Sequence, residues 1–174
     1  LEMPGMHGNY TATTSIQKSD LLIAIGVRFD DRVTANPSFF AQNAKVIHAD
    51  IDPAEIGKVR EAQVPIVGDA KSVILGLIDA LQDEELDTKN WINELNSMKT
   101  EHPLSYNQDE NGPLKVPFVL EELQDLTEEG AIVVSGVGQH QMWISQHWNF
   151  TEPNTWLNSG GLGTMGYSLS LIHI

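Results

Sequence analysis

The 174-residue chain contains no cysteine, and this absence removes several kinds of chemistry. Without a thiol there can be no disulfide, cysteine-ligated zinc ribbon, iron–sulfur cluster or thiol nucleophile. The absence fits a reducing compartment, and we predict a cytoplasmic location of the bacterial type. The six histidines show no metal-ligand spacing, so no metal site is predicted, and His48, His102 and His147 are interpreted as core or surface residues.

Basic residues are scarce: 10 Lys and Arg stand against 24 Asp and Glu, which gives a formal net charge of −14. A chain this acidic has no general basic face, so we expect no nucleic-acid partner. An anionic ligand would need a local site, such as a helix N-terminus or a single arginine. No apolar run approaches the roughly 18 residues of a membrane span, and neither a signal peptide nor a membrane partner is expected.

Apolar runs alternate with helical stripes through the first half of the chain. Continuous runs, typical of parallel strands buried on both faces, predict strands at residues 21–27, 45–51 and 64–67. Apolar spacing and capping residues predict helices at residues 11–19, 53–60 and 70–81. The alternation indicates an α/β fold with a parallel sheet.

A polar stretch, residues 83–115, separates this half from a second unit. It contains one amphipathic helix around Trp91 and a proline-containing linker, so we predict domains at residues 1–82 and 116–168. In the second unit we predict a helix at 116–126, a strand at 131–134 and a helix that ends near Trp148.

Polar loops follow the three strands of the first unit. Ligands of open parallel sheets bind beyond the carboxyl ends of strands, so these loops are a candidate nucleotide site. Asp50 or Asp52 could accept a ribose hydroxyl, or could simply cap the helix that follows. No G-x-G-x-x-G follows the first strand, which argues against a standard NAD site.

The first loop carries two arginines, Arg28 and Arg32, on either side of Asp30 and Asp31. An arginine fixed by a neighbouring aspartate could present its guanidinium to a carboxylate or phosphate. On spacing alone, a solvated charge cluster is the simpler interpretation.

The second unit has two glycine-rich segments. Residues 135–140 form a strand–Gly-x-Gly–helix junction that suits a diphosphate, with His140 as a phosphate donor or a mere helix cap. Residues 160–166 contain four glycines, which would allow close backbone approach to a flat ligand or would form a flexible turn. Met165 stands between glycines and is a candidate ligand contact.

Five motifs occur together and in order: PGMHG (4–8), DLLIAIGVRFDDRV (20–33), KVIHADIDPAEIGK (45–58), VSGVGQHQMW (134–143) and WLNSGGLGTMGY (156–167). Together they resemble the catalytic subunit of the acetohydroxyacid synthase (acetolactate synthase) family of thiamine-diphosphate enzymes. The resemblance implies the second half of a Rossmann-like, parallel-sheet FAD-binding domain, followed by the start of an α/β thiamine-diphosphate-binding domain. It implies about a third of a subunit. A non-native tail is predicted at residues 169–174, because after Leu169 the family continues with Pro-Ala-Ala, whereas this chain reads Ser-Leu-Ile-His-Ile.

The resemblance also implies a reaction. Family members decarboxylate pyruvate on thiamine diphosphate and condense the hydroxyethyl unit with pyruvate or 2-oxobutanoate, in branched-chain amino-acid biosynthesis. A related FAD-containing carboligase, such as glyoxylate carboligase, and a non-catalytic FAD- or nucleotide-binding module are the alternatives. The full-length protein is expected to be a homodimer or homotetramer, with a possible regulatory small subunit, and the fragment alone is expected to be inactive.

By motif match, the resemblance assigns residues to three ligands. Those expected to bind FAD are Gly5, Met6, His7, Gly26, Val27, Arg28, Phe29, Asp30, Asp50, Ile51, Asp69 and Ala70. Those expected to bind thiamine diphosphate are Val137, Gly138, Gln139, His140, Gly163, Thr164 and Met165. Those expected to bind the second 2-oxo acid are Met6, Asp31 and Arg32.

Two of these residues are expected to act in the reaction itself. Arg32 would hold the substrate carboxylate, oriented by Asp31, and Met165 would prop the bent cofactor so that its 4′-imino group approaches the thiazolium carbon. The family's activating glutamate lies upstream of these motifs and its Mg²⁺ ligands lie downstream, so no metal ligand is assigned to this chain.

Overall fold

A computed structural model describes residues 3–173 and divides the chain into two compact units. One unit, Tyr10–His102, is called here the three-stranded unit. The other joins the described residues of the N-terminal segment 1–9 to those of 103–174, and is called the two-stranded unit. Both contain parallel strands and helices, which confirms the predicted α/β class.

The sheet of the three-stranded unit contains β1 (Leu21–Ile25), β2 (Lys45–Asp50) and β3 (Val64–Val67) in the order β1-β2-β3. Both pairings are parallel, with Leu21 opposite Lys45 and Ile47 opposite Val64. All three strands were predicted, and their carboxyl ends lie at one edge of the sheet.

Four α-helices belong to this unit: α1 (Tyr10–Lys18), α2 (Asp31–Thr34), α3 (Ala70–Leu81) and α4 (Lys89–Glu101). A short 3-10 turn, Pro37–Phe39, follows α2. The bounds of α3 are those predicted, because Asp69 caps the helix by accepting the Ser72 amide at 3.1 Å. The one-turn elements α2 and Pro37–Phe39 carry too little periodicity to be predicted.

The predicted helix at residues 53–60 is wrong, since this stretch forms turns and bends. Asp52 does cap a turn, because its Oδ1 accepts the Ala54 amide at 2.9 Å. Three residues on, however, Gly57 adopts a φ of +74°, which a right-handed helix cannot contain. Its amide donates to Nδ1 of His48 at 3.4 Å instead of to a preceding carbonyl.

The core of this unit lies on one side of the sheet. It is a cluster of buried apolar residues, namely Ala24, Phe29, Phe40, Ala41, Ala44 and Val46. The expectation of strands buried on both faces is wrong for β1, where Leu21 and Ile23 are 46% and 50% exposed. On α3, too, much of the apolar stripe is exposed, including Ile74 and Ile78.

The sheet of the two-stranded unit pairs β4 (Val133–Ser135) with β5 (Trp156–Asn158) in parallel. Around it lie α5 (Val116–Asp125), α6 (Gln139–His147) and α7 (Tyr167–Ile172). Of these, α5, β4 and α6 were predicted, with β4 two residues later than expected, whereas β5 and α7 were not. Among residues 3–173 there is no helix long and apolar enough to cross a membrane.

Candidate cofactor and substrate sites

The predicted FAD loops of the three-stranded unit meet at the carboxyl edge of its sheet. The Gly26 amide donates to the Ala49 carbonyl at 2.8 Å, and the Gly68 amide donates to the Asp50 carbonyl at 2.9 Å. These bonds tie the loop that follows β1 to the end of β2, and the end of β2 to the loop that follows β3. Residues 26–30, 50–51 and 69–70 are therefore neighbours, as the parallel order required.

The aspartates at this edge each support a local turn. Asp50 accepts the Asp52 amide at 2.9 Å, and Asp52 and Asp69 accept amides two and three residues ahead of them. Asp69 therefore caps helix α3, whereas Asp50 and Asp52 cap turns, because no helix follows them. A ribose contact from Asp50 stays a prediction.

Asp30, in the first loop, has one carboxylate oxygen that is bonded within the protein and one that is available to a ligand. Oδ2 of Asp30 accepts Nη2 of Arg28 at 3.2 Å, whereas Oδ1 is buried and has no hydrogen-bond partner among residues 3–173. A buried carboxylate oxygen without a donor is costly, so a ligand hydroxyl or N–H at this position would satisfy it. The edge therefore fits a polar ligand.

Phe29 is placed differently from the other residues of this loop. Its φ is +52° and its side chain is 5% exposed, packed edge-on against His48 with ring centroids 5.1 Å apart. The side chain belongs to the core, so any contact of Phe29 with a ligand would use its backbone.

His48 is a core residue, as expected, and it supports the same loop. It is 1% exposed, and its Nε2 lies 2.8 Å from the Val27 carbonyl. Because that carbonyl accepts a hydrogen bond, Nε2 carries the proton and Nδ1 accepts from Gly57.

We expect His48→Leu to destabilise the chain by about 1–3 kcal/mol, because the Val27 carbonyl and the Gly57 amide would both lose their partner. Urea denaturation followed by far-UV circular dichroism measures this change. The matched control is His173→Leu at an exposed position, which should stay within about 0.5 kcal/mol. Equal effects of the two substitutions would contradict the assigned bonds.

The four charged residues of the first loop form two separate ion pairs rather than one cluster. Nη1 of Arg32 lies 2.7 Å from Oδ2 of Asp31, and the arginine side chain is 63% exposed. Thr34 fixes this turn by donating its amide and its hydroxyl to the Asp30 carbonyl, each at 3.0 Å. Exposed pairs add little stability, so this pair contributes little to the fold and leaves Arg32 accessible to a ligand.

The two glycine-rich segments of the other unit also meet at a carboxyl edge. Ser135 at the end of β4 lies opposite Asn158 at the end of β5, and residues 136–138 and 159–166 follow them. Nε2 of Gln141 on α6 donates to Oδ1 of Asn158 at 3.0 Å, which holds the start of α6 against the second segment.

The N-terminus of α6 forms a tight glycine cradle around His140. A Cβ added at Gly138 would lie 3.0 Å from Cε1 of His140, and one added at Gly136 would lie 3.2 Å from its Nε2. Gly138 has a φ of +149°, and no side chain caps the helix there. A nine-residue helix with an uncapped N-terminus beside an imidazole fits an anion such as a diphosphate.

The second segment is shaped by Ser159 and presents Met165. The Ser159 carbonyl accepts the Gly163 amide at 2.9 Å, and its hydroxyl accepts the Thr164 amide at 3.0 Å. Met165 follows and is 76% exposed. A large apolar side chain held out from a fixed turn suits contact with a ligand ring.

The N-terminal segment, with Gly5, Met6 and His7, belongs to the two-stranded unit and so lies outside the unit that carries the other predicted FAD residues. Met6 is 57% exposed. Sequence reasoning missed the residues that hold this segment: Oγ of Ser145 bonds the His7 carbonyl at 2.8 Å, and Nε2 of Gln146 bonds the Gly8 carbonyl at 3.0 Å. No local pattern could have paired residues 138 positions apart.

Tyr106, in the linker, lies outside these sites and donates a short hydrogen bond to Glu121 of α5. That bond raises the pKa of Tyr106 to about 12, because it stabilises the neutral phenol. A pKa raised on folding contributes stability that is fully present below the ordinary tyrosine value of about 10 and is lost as the pH rises through about 12.

We therefore expect Glu121→Gln to bring the Tyr106 titration down toward pH 10, since an amide favours the neutral phenol less than a carboxylate does. Absorbance at 295 nm against pH measures it, with the curve of Tyr106→Phe subtracted to isolate Tyr106. The same midpoint with and without Glu121 would show that the bond does not form.

Within residues 3–173, no group of three or more acidic or histidine side chains is arranged to hold a metal ion.

Comparison with known protein families identifies the class of enzyme to which the chain is related. Residues 1–77 match the thiamine pyrophosphate enzyme central domain, and residues 136–173 match the thiamine pyrophosphate enzyme C-terminal TPP-binding domain. The chain belongs to the thiamine pyrophosphate enzyme family. The predicted class of enzyme is confirmed, and so is an α/β fold made of two such domains.

Individual relatives narrow this class. The chain is 52% identical over 173 residues to acetolactate synthase of Mycobacterium leprae, covering 97% of this chain and 28% of that protein. It is 50% identical over 170 residues to the acetolactate synthase large subunit of Corynebacterium glutamicum, covering 96% and 27%. It is 43% identical to the chloroplastic acetolactate synthase 1 of Zea mays, covering 97% and 27%. The predicted resemblance to the acetolactate synthase large subunit is thus confirmed, and the chain spans little more than a quarter of these relatives.

Residues 169–174 were expected to be non-native. The C-terminal family match runs to residue 173, and α7 runs to Ile172. The origin of these residues stays a prediction that resequencing the gene from independent reads would test.

Proposed function

We propose that this chain is part of an acetolactate synthase subunit. In the complete subunit it would help to decarboxylate pyruvate and to join the two-carbon unit to pyruvate or 2-oxobutanoate. The observation that carries the proposal is the glycine cradle around His140, found in a chain about half identical to acetolactate synthases.

Thiamine diphosphate is the cofactor in this proposal, and it supplies the electron sink that makes loss of CO₂ from pyruvate possible. Val137, Gly138, Gln139 and His140 would hold its diphosphate at the N-terminus of α6. Gly163, Thr164 and Met165 would contact its rings. Mg²⁺ would be held by residues outside this chain.

FAD is the second proposed cofactor, in a Rossmann-like setting at the carboxyl edge of the three-stranded sheet. The joined loops at residues 26–30, 50–51 and 69–70 would contact it. Oδ1 of Asp30 is the acceptor left for one of its hydroxyl or N–H groups. No redox step is assigned to it.

Arg32 would hold the carboxylate of the second 2-oxo acid. Its pairing with Asp31 at 2.7 Å limits the orientations of the guanidinium, whose planar donors match a carboxylate in pairs. A cation here would bind the carboxylate of the acceptor and would favour a 2-oxo acid over a neutral aldehyde.

A chimaera tests the cofactor part of this proposal. It carries residues 1–168 in place of the aligned segment of the Corynebacterium glutamicum large subunit, and is called here the chimaera. We expect it to retain FAD through gel filtration. We also expect it to bind thiamine diphosphate with Mg²⁺ within about tenfold of the parent affinity, which corresponds to a difference in binding free energy of under about 1.4 kcal/mol. A folded chimaera that holds neither cofactor would contradict the proposal.

Assembly and location follow from the same proposal. A homodimer or homotetramer, with a possible regulatory small subunit, stays the expectation for the complete protein, as does a cytoplasmic location. The isolated 174-residue chain is expected to form no acetolactate from pyruvate, which a colorimetric acetoin assay would measure.

A further inference from the structure

The N-terminal segment, residues 3–9, is fastened to helix α6 by two consecutive side chains. Nε2 of Gln146 donates to the Gly8 carbonyl at 3.0 Å, and Oγ of Ser145 lies 2.8 Å from the His7 carbonyl. By sequence this segment lies within the match to the family's central domain, yet it packs with the two-stranded unit. The two bonds are therefore what joins a central-domain motif to the helix that begins at the glycine cradle.

The segment is built to be held in this way. Its own amides close it, with Gly8 bonded to the Gly5 carbonyl and Asn9 to the Met3 carbonyl, each at 3.0 Å. A Cβ at Gly8 would lie 1.8 Å from the Met3 carbonyl oxygen, so only glycine allows the chain to fold back this closely. The segment is thus a compact turn whose His7 and Gly8 carbonyls face α6.

Gln146 is the stronger of the two donors. The Ser145 hydroxyl also lies 2.7 Å from the Met142 carbonyl, and its single hydrogen can serve only one acceptor at a time. The Gln146 amide reaches the segment without such competition inside its own helix. Its removal would leave a half-buried carbonyl without a protein donor.

The helix makes this link rigid. Gln146 lies six residues after His140 on α6, or about 9 Å along the axis at 1.5 Å per residue. One end of α6 carries the proposed diphosphate site, and the other end holds the His7 and Gly8 carbonyls.

We infer that Gln146, assisted by Ser145, is a positioning residue that fixes the Met6–His7 turn relative to the diphosphate site on α6. The inference rests on the proposed function only in that Met6 is expected to contact the second 2-oxo acid. The link itself is independent of that function. Gln146 touches neither ligand and acts through the turn.

Hydrogen exchange on the 174-residue chain tests the link. Gln146→Glu keeps the shape of the side chain but replaces its donor with an acceptor facing the Gly8 carbonyl, and Gln146→Met removes the donor without adding charge. Both should speed amide exchange of residues 5–9 about fivefold to tenfold, the effect of losing one hydrogen bond. Gln82→Glu at an exposed position is the charge-matched control and should leave that exchange unchanged. Unchanged exchange in both Gln146 variants would overturn the link.

Kinetics of the chimaera test the positioning role. Gln146→Met should raise the KM for 2-oxo acid about tenfold while the thiamine diphosphate affinity stays within twofold, and Gln82→Glu should behave as the unmodified chimaera. An equal fall in cofactor affinity would show that Gln146 merely stabilises α6 and would overturn the role. Faster exchange with an unchanged KM would support the link but would overturn the positioning role and the expected contact of Met6 with the substrate.

Discussion

Gly138→Val in the chimaera is expected to lower the affinity for thiamine diphosphate by about 100-fold or more. The backbone φ of +149° is open to glycine and strained for valine, and a Cβ there would lie 3.0 Å from the His140 ring. Backbone strain of about 1–3 kcal/mol, added to the loss of a charge-assisted contact to the diphosphate of about 1.5–3 kcal/mol, gives this size. Isothermal titration with thiamine diphosphate in the presence of Mg²⁺ measures it.

The control for this substitution is Gly76→Ala. Gly76 lies within α3, its added Cβ would meet nothing within 4 Å, and alanine favours a helix. Cofactor affinity should therefore be unchanged, with stability equal or slightly higher. If Gly138→Val bound thiamine diphosphate as tightly as Gly76→Ala, the N-terminus of α6 could not be the diphosphate site.

Arg32→Ala in the chimaera is expected to lower acetolactate formation, as kcat/KM, by about 100-fold. The side chain of Arg32 is 63% exposed in this chain, and a hydrogen bond to a charged group contributes about 1.5–3 kcal/mol, the upper end of which is a factor of about 100. Arg32→Lys keeps the charge but loses the paired donors, so we expect an intermediate loss of about tenfold. CO₂ release and acetolactate are measured together, because loss of the second substrate alone should let decarboxylation continue.

The control for Arg32 is Lys58→Ala. Lys58 is also an exposed cation held by a nearby acid, Glu55 at 2.7 Å, but it is assigned to no ligand. Its removal should change neither product. Parallel loss of CO₂ and acetolactate in Arg32→Ala would contradict a role specific to the second 2-oxo acid.

Local signals predicted most of the three-stranded unit. The stripe of α3 and its cap at Asp69 lie within a few residues of each other, so the sequence contains the whole argument for that helix. The failure at residues 53–60 has the opposite cause. Gly57 has a φ of +74° and bonds to the ring of His48, nine residues earlier, and this turn overrides a favourable helix start.

Two very short elements were not predicted from the sequence, for a different reason. β5 has three residues and follows a proline-containing turn, and α7 has six residues after a glycine-rich segment. Neither is long enough for apolar spacing to show a period. Their places are set by pairing with β4 and packing beside it, which a single sequence does not reveal.

The features of the candidate sites also divide into those that the sequence could predict and those that depend on contacts between distant residues. Parallel topology was enough to predict that the loops at residues 26–30, 50–51 and 69–70 would meet, because strand ends of one sheet share an edge. Burial of the Phe29 side chain and the hold of Gln146 on Gly8 depend on contacts between distant residues. Motif matching assigned Phe29 to a ligand because a motif compares residues position by position and carries no information on where a side chain points.

Acetolactate formation by the chimaera is the most direct test of the proposed function. With pyruvate, thiamine diphosphate, Mg²⁺ and FAD, we predict acetolactate at a rate within about tenfold of the Corynebacterium glutamicum parent, a barrier change of under about 1.4 kcal/mol. A chimaera that binds both cofactors but yields no acetolactate from pyruvate, or that uses only glyoxylate, would contradict the assignment of this chain to acetolactate synthase.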